Sequence, residues 1–231
     1  MIRLLPLFAF VVSFLPAEEG WVWKPPEIKA AVIAKDAPKI DGDLSDEAWK
    51  SAASSNQFLL SDGRKPKSNT KLMVLRDEKM LYIAVECAET EEHMKKLEAK
   101  VARRDVDDIW SDDCVELFLD PSGKRVSYYQ LIINSKGALW DAWHSEAANP
   151  DKTWQSKAAV AAKVGPSGWS LEVGLPLSAF DRAAEQQAAW AFNVSRLRRP
   201  GAELVYWSPV FNDTSHAPEQ FGILTGMPEK K

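Results

Sequence analysis

Between Arg103 and Pro121 the chain carries residue types that could do chemistry. The stretch reads Arg103-Arg104-Asp105-Val106-Asp107-Asp108-Ile109-Trp110-Ser111-Asp112-Asp113-Cys114-Val115-Glu116-Leu117-Phe118-Leu119-Asp120-Pro121. Its second half alternates like a strand, so Val115, Leu117 and Leu119 point to one side and Glu116, Phe118 and Asp120 to the other. A carboxylate therefore stands mid-strand, six positions after an indole at the strand's mouth. Such a pair suits a polar ring, with an apolar face to stack on and an acceptor for hydroxyls. The bland alternative is a surface Trp beside a solvated Glu. What surrounds the segment has to decide.

A second strand-like run, Tyr128 to Asn134, offers a partner. Gln130 shares parity with Tyr128, Ile132 and Asn134. If Val115–Leu119 and Leu131–Ile133 face one core, Glu116 and Gln130 lie on the same outer sheet face. A carboxylate and a planar amide there could chelate adjacent hydroxyls, each bond worth about 1 kcal/mol net. The alternative is a solvated polar face. Arg196, Arg198 and the loop to Glu203 either frame the same end of the fold or pair with nearby acids at the solvated surface. Asp105, Asp107, Asp108, Asp112 and Asp113 could feed oxygen ligands to calcium, but they match no EF-hand spacing and suit turns and caps better.

Enzyme motifs are missing where they would be needed. His93, His144 and His216 are scattered and form no H-E-x-x-H, and there is neither a G-x-S-x-G nor a P-loop. No catalytic residue is assigned. A glycosidase needs two carboxylates about 5–10 Å apart, and Glu116 with Asp141 is one pair that could serve a small glycan-active hydrolase. That hydrolase is the enzymatic alternative to a binding role.

The elements that would position these residues are mostly short strands. Alternation marks Lys71–Asp77, Leu81–Cys87, Asp113–Asp120, Tyr128–Asn134, Ala158–Val164, Trp169–Leu175, Ala191–Arg196, Leu204–Trp207 and Gly222–Leu224. Turn signals such as Asp120-Pro121-Ser122-Gly123 and Gly165-Pro166-Ser167-Gly168 separate them. Strands at this density mean a sandwich or a barrel. Three stretches look helical: Asp46 to Ala53 after a Ser45 cap, Glu91 to Arg103 with Met94, Leu97 and Val101 on one stripe, and Ser178 to Gln187. Trp49, Trp169, Trp190 and Phe192 read as core residues.

At 231 residues with a hydrophobic fraction of 45%, one all-β domain with a real core is the economical reading. Net charge of −4 leaves no footprint for nucleic acid. Ten Trp is a heavy load and suits ligand contact through aromatic faces. Residues 1–17 read as a signal peptide, with Arg3 before an apolar run from Leu4 to Leu15 and Pro16-Ala17 as the cleavage region. That run is too short to span a bilayer comfortably, and no later one is long enough. The mature chain is expected to be secreted or periplasmic. Residues 18–38 form an extended lead, 39–226 the domain and 227–231 a tail. Cys87 and Cys114 are either a disulfide or two buried free thiols.

Taken in order, several elements resemble the family 9 carbohydrate-binding modules in their broad bacterial relatives. They are Ile40-Asp41-Gly42 with Trp49, Leu81 to Val85, Trp110 to Pro121, Tyr128-Tyr129-Gln130 with Asn134 and Gly137, Gly168-Trp169 with Glu172 and Leu175-Pro176, Trp190 with Phe192-Asn193, Trp207-Ser208-Pro209, and His216 with Pro218-Glu219 and Phe221-Gly222. The resemblance implies an all-β fold, a β-sandwich of two antiparallel sheets (immunoglobulin-like or jelly-roll-like) with short helical insertions. It also implies a non-catalytic sugar site that takes the ends of plant polysaccharides or small sugars, and structural calcium in some members. By it, Trp110 corresponds to a stacking Trp and Glu116 to the acidic hydrogen-bonding residue. Gln130 falls near a polar strand residue that is often Arg. Where a second stacking Trp is expected, this chain has Ser215-His216-Ala217, so His216, Trp140 or Trp143 would have to supply the ring. Related sandwiches can hold haem, for which Met73, Met80, His144 or His216 would be the axial ligands. No protein partner is identifiable, and polysaccharide catabolism is the expected setting.

Overall fold

A computed structural model describes residues 23–147, 149–199 and 203–230. Residues 1–17, expected from the sequence to be a signal peptide, and the first part of the lead lie outside the described residues. Fifteen strands follow in order: β1 Glu27–Lys29, β2 Ala31–Val32, β3 Ala53–Ser55, β4 Leu59–Leu60, β5 Thr70–Arg76, β6 Met80–Ala88, β7 Cys114–Asp120, β8 Tyr128–Asn134, β9 Leu139–His144, β10 Pro150–Asp151, β11 Ala159–Gly165, β12 Gly168–Pro176, β13 Ala189–Arg198, β14 Glu203–Tyr206 and β15 Gly222–Thr225. Two one-turn helices, α1 Glu47–Lys50 and α2 Glu91–Met94, and three 3₁₀ turns complete the regular structure of the described residues.

The strands form two stacked sheets. The larger runs β1-β15-β13-β7-β8-β9-β10, with β14 beside β13 and β4 beside β14; the smaller runs β11-β12-β6-β5-β2, with β3 also on β5. Their inner faces meet in one core, because period-two alternation puts Val115, Leu117 and Leu119 of β7 and Leu131 and Ile133 of β8 opposite Ile83, Val85, Leu171 and Val173. The expected β-sandwich is what the chain forms. The long pairings are antiparallel, and the N-terminal lead adds two parallel ones at the edges: β1 on β15 and β2 on β5. With only Ala30 between them, β1 and β2 clip the two sheets together.

Two expected helices are largely absent, for identifiable reasons. Glu91–Met94 is helical, capped by the Thr90 hydroxyl on His93 N–H, but the helix stops there. The N–H groups of Glu98, Lys100 and Val101 donate instead to the carboxylates of Asp113 and Asp112. Ser178 to Gln187 holds only the 3₁₀ turn Leu177–Ala179. There the N–H groups of Gln186 and Gln187 bond to the carbonyls of Lys230 and Pro121. Long-range acceptors outbid the local helix in both places. The α1 helix is shorter than its expected span and starts from Asp46 rather than Ser45.

Trp49, Trp169, Trp190 and Phe192 are buried, as their parity requires. Cys87 and Cys114 are free buried thiols. The disulfide alternative fails because β6 and β7 belong to different sheets, with Cys87 in the central core and Cys114 on the outer face of the larger sheet.

Candidate functional site

The two outer faces of the sandwich differ. Over the smaller sheet, residues 40–52 lay Ile40, Leu44, Ala48 and Trp49 on Met73, Leu75, Tyr82 and Ala84. The segment is latched by Glu172 on β12, which accepts from Gly42 N at 2.6 Å, Asp41 N at 3.0 Å and Trp49 Nε1 at 2.7 Å. Gly42 has φ +85 and lies so close to β11 that a Cβ would come within 2.8 Å of the Ala162 carbonyl carbon. Ile40-Asp41-Gly42, Trp49 and Glu172 are therefore one structural device.

The outer face of the larger sheet is roofed at both ends and polar between. At one end the 3₁₀ turn Asp107–Ser111 seats Ile109 against Cys114, Ile132, Trp140 and Leu197. At the other, Phe221 packs on Phe118, Tyr128 and Ala191. Between them the register aligns Tyr206, Ser195, Glu116 and Ile132 in one row, and Asn193, Phe118, Gln130 and Ala142 in the next. Glu116 and Gln130 meet as their parity demands: Gln130 Nε2 donates to Glu116 Oε2 at 2.8 Å. Gln130 Oε1 in turn bonds His144 Nε2 at 2.9 Å. The His144 ring stacks on Tyr128 at 4.7 Å and stands 5.1 Å from His216. His216 Nδ1 bonds the Tyr128 hydroxyl at 2.6 Å.

Burial sets the protonation of this row. Glu116 is pushed up to about 7 by loss of solvent, opposed by the Gln130 hydrogen bond. His144 is pushed down to about 4 by burial and then by the neighbouring His216. Burial also lowers His216. Tyr206 is raised, first by burial and in smaller part by the Glu116 charge. Two buried polar atoms here, Ser195 Oγ and His144 Nδ1, have no hydrogen-bond partner among the described residues. Ser195 pairs directly across from Glu116, so an orphaned hydroxyl adjoins the carboxylate. Buried groups of this kind normally have partners.

Of the residues singled out in the sequence, Glu116, Gln130 and His216 are brought onto one face. Trp110 sits in the last part of the 3₁₀ turn at the rim of that face, 46% exposed, its carbonyl accepting from Arg199 Nη2. Arg196 is not there. It pairs with Val115 and so faces inward, where its guanidinium bonds Glu89, the Thr70 hydroxyl and the carbonyls of Asn69 and Ala88. Trp140 lies on the right face but under the turn, its Nε1 donating to Asp107. Trp143 pairs with Tyr129 on the inner side. The residues the sequence reading missed are Ser195, Tyr206 and the site role of His144. The parity that marks Phe192 as core puts Ser195 outside, which was the available signal.

Asp141 faces inward opposite Leu131 and is held by Arg104 Nη2 at 2.5 Å and Ser156 N at 2.9 Å. It cannot act with Glu116 across a sugar. Met73 and Met80 pack over the smaller sheet, and His144 and His216 over the larger, so no Met–His axial pair is assembled. Among the described residues, Glu89, His93 and Asp113 cluster with metal-ligand atoms within 4.8 Å of one another. Glu89 is already bound by Arg196 and Arg198, and Asp113 accepts from Glu98 N and Arg199 N. Two guanidinium groups inside the cluster make it an unsuitable cation cage. Asp112 and Asp113 cap backbone, as turn chemistry suggests.

Residues 40–225 match the family described as carbohydrate family 9 binding domain-like. The fold is similar to that of a family 9 carbohydrate-binding module from Caldicellulosiruptor kristjanssonii in complex with cellotriose. The two share 16% identity with a TM-score of 0.57, over 87% of this chain and 93% of that one. The same organism's family 9 module in complex with glucose matches at 15% identity and TM-score 0.57, covering 87% and 95% of the two chains. A proposed carbohydrate-binding protein from Bacteroides uniformis matches at 16% identity and TM-score 0.64, covering 87% and 99%. No curated protein matches the chain.

Proposed function

The chain belongs to the carbohydrate family 9 binding domain-like family, and from that premise we propose that it is an exported, non-catalytic sugar-binding protein. The sugar is held on the outer face of the larger sheet. One observation carries the reading: a buried carboxylate–amide pair, Glu116 and Gln130, lies beside two partnerless polar atoms, Ser195 Oγ and His144 Nδ1. Hydroxyls both donate and accept, which suits a row that mixes donors and acceptors, and Glu116, at 8% exposure, is its most accessible member. The solved relatives in complex with cellotriose and glucose support neutral sugars as the ligand class. Trp110 at the rim supplies an apolar face for stacking. His216, tied to Tyr128, stands where a second wall belongs.

A hydrolase is disfavoured by charge placement. Asp120, on the same face of β7, lies four positions from Glu116, about 13 Å along a strand. It is already engaged by Ser122 and the Arg125 N–H. That spacing exceeds what either glycosidase geometry uses, roughly 5–9.5 Å.

Calorimetric and Trp-fluorescence titration with glucose, cellotriose and a broader panel tests the reading. At least one neutral sugar should bind, and Trp110→Ala should weaken it about tenfold. A panel without a single binder overturns the assignment, as does a Trp110→Ala variant of unchanged affinity. For export, the protein recovered outside the cytoplasm should begin near Glu18; an intact Met1 in that fraction would contradict it.

A further inference from the structure

The hydrogen-bond chain through Glu116 has a definite polarity. Gln130 spends its NH₂ on Glu116 Oε2, so its Oε1 must accept, and the atom it accepts from is His144 Nε2. His144 is 1% exposed and stacked on Tyr128, and burial keeps its ring neutral. A neutral imidazole has one hydrogen. With that hydrogen on Nε2, Nδ1 is a bare acceptor, and it has no partner among the described residues.

We propose that His144 is a positioning residue for ligand recognition. Its Nε2–H locks the Gln130 amide with the NH₂ toward Glu116 Oε2, leaving Glu116 Oε1 for the ligand. The ligand in this statement rests on the sugar-binding reading; the hydrogen-bond chain does not. Were the His144 hydrogen on Nδ1, the amide would turn its NH₂ to the imidazole and present its carbonyl to the carboxylate. Two acceptors would then face each other, and Glu116 would hold its proton more tightly. The tautomer of a buried histidine, acting through one intervening amide, thus governs whether Glu116 presents a ligand with an ionised or a neutral carboxyl oxygen. The titratable groups around Glu116 are Cys114 on β7, Tyr128 on β8, His144 on β9, Tyr206 on β14 and His216 in the roofing segment. Arg196 on β13 faces the other way. The guanidinium groups at the two ends of the face, Arg199 beside Trp110 and Arg125 on the Phe221 carbonyl, make no bond to Glu116, so the amide is the group that tunes it.

Long-range ¹H–¹⁵N correlation on the unaltered protein reads the tautomer directly. Nε2–H is expected, and Nδ1–H would overturn the proposal. His144→Phe keeps a ring on Tyr128 and removes the donor, whereas His144→Gln restores a side-chain N–H. In sugar-free protein, the ¹³C-detected midpoint of Glu116 should rise by about half a unit or more in His144→Phe and return toward the parent in His144→Gln. An unmoved midpoint in the Phe variant, or an equal shift in both, refutes it. Should His144→Phe fail to fold, the wild-type tautomer still decides. With glucose at pH 8, binding should weaken about fivefold in His144→Phe and less than about twofold in His144→Gln. A midpoint that moves while no sugar binds upholds the relay and overturns the sugar reading instead.

Discussion

Glu172 and Glu116 occupy matching places on opposite sides of the sandwich, and they do opposite things. Each stands mid-strand on an outer face, each is buried, and burial raises the proton affinity of both. Glu172 accepts from three N–H groups, all on the segment that covers it. Glu116 accepts from one amide and adjoins an orphaned hydroxyl. The first is spent on holding the chain down. The second is held in reserve by a face that spends donors elsewhere, and that difference separates a latch from a site.

Truncating the latch should have the largest effect. Glu172→Ala strips the acceptor from three N–H groups, two of them buried, and should cost about 3–5 kcal/mol in urea unfolding. A cost under about 1 kcal/mol would end the distinction. At Glu116 the sign reverses. Its carboxyl is protonated in both states below about 4.5 and ionised in both above about 7. Between those limits the native chain holds a proton that the unfolded chain has lost, so stability falls as pH rises through this window. Removing the charge with Glu116→Gln should therefore stabilise the protein at pH 8 by about 2–3 kcal/mol while weakening sugar binding tenfold or more.

His144 works the other way. It is neutral in the native state down to about 4 but protonates near 6.5 when unfolded, so its contribution is lost as pH falls through that range. The two windows overlap and cancel from about 4.5 to 6.5, where the native chain keeps the proton on Glu116 and the unfolded chain keeps it on His144. Relative to the parent, Glu116→Gln should therefore lose stability on acidification from about pH 6.5 to 4.5, because the His144 contribution is no longer offset. A parallel pair of profiles would break the comparison. The smallest effect belongs to Trp110, whose ring is half exposed. Trp110→Ala should change stability by less than about 0.5 kcal/mol, leaving its cost to appear in affinity alone.

Much of this was legible in the alternation of residues. The bounds of the Tyr128–Asn134 strand, the inward set Val115, Leu117 and Leu119, and the shared face of Glu116 and Gln130 all follow from the two-residue period. Arg196 was misplaced because its charge argued for the surface, although its parity with Phe192 argued for the interior. A buried guanidinium needs its counter-charge, and that is Glu89, 107 positions away. The Leu139–His144 strand was missed because two Trp and a buried Asp blur its pattern, and with it went the role of His144. The expected helix after Met94 was lost to carboxylates on a later strand, beyond the reach of any local window.

The sequence by itself determined which side chains share a face, because pleat direction is a covalent property of each strand. Only the tertiary structure decided how many donors each buried carboxylate receives and what covers it. Those donors come from far along the chain, 130 positions for Gly42 on Glu172. Adjacency in a sandwich is set by register and packing rather than by spacing. Glu172 became a latch and Glu116 a site for that reason.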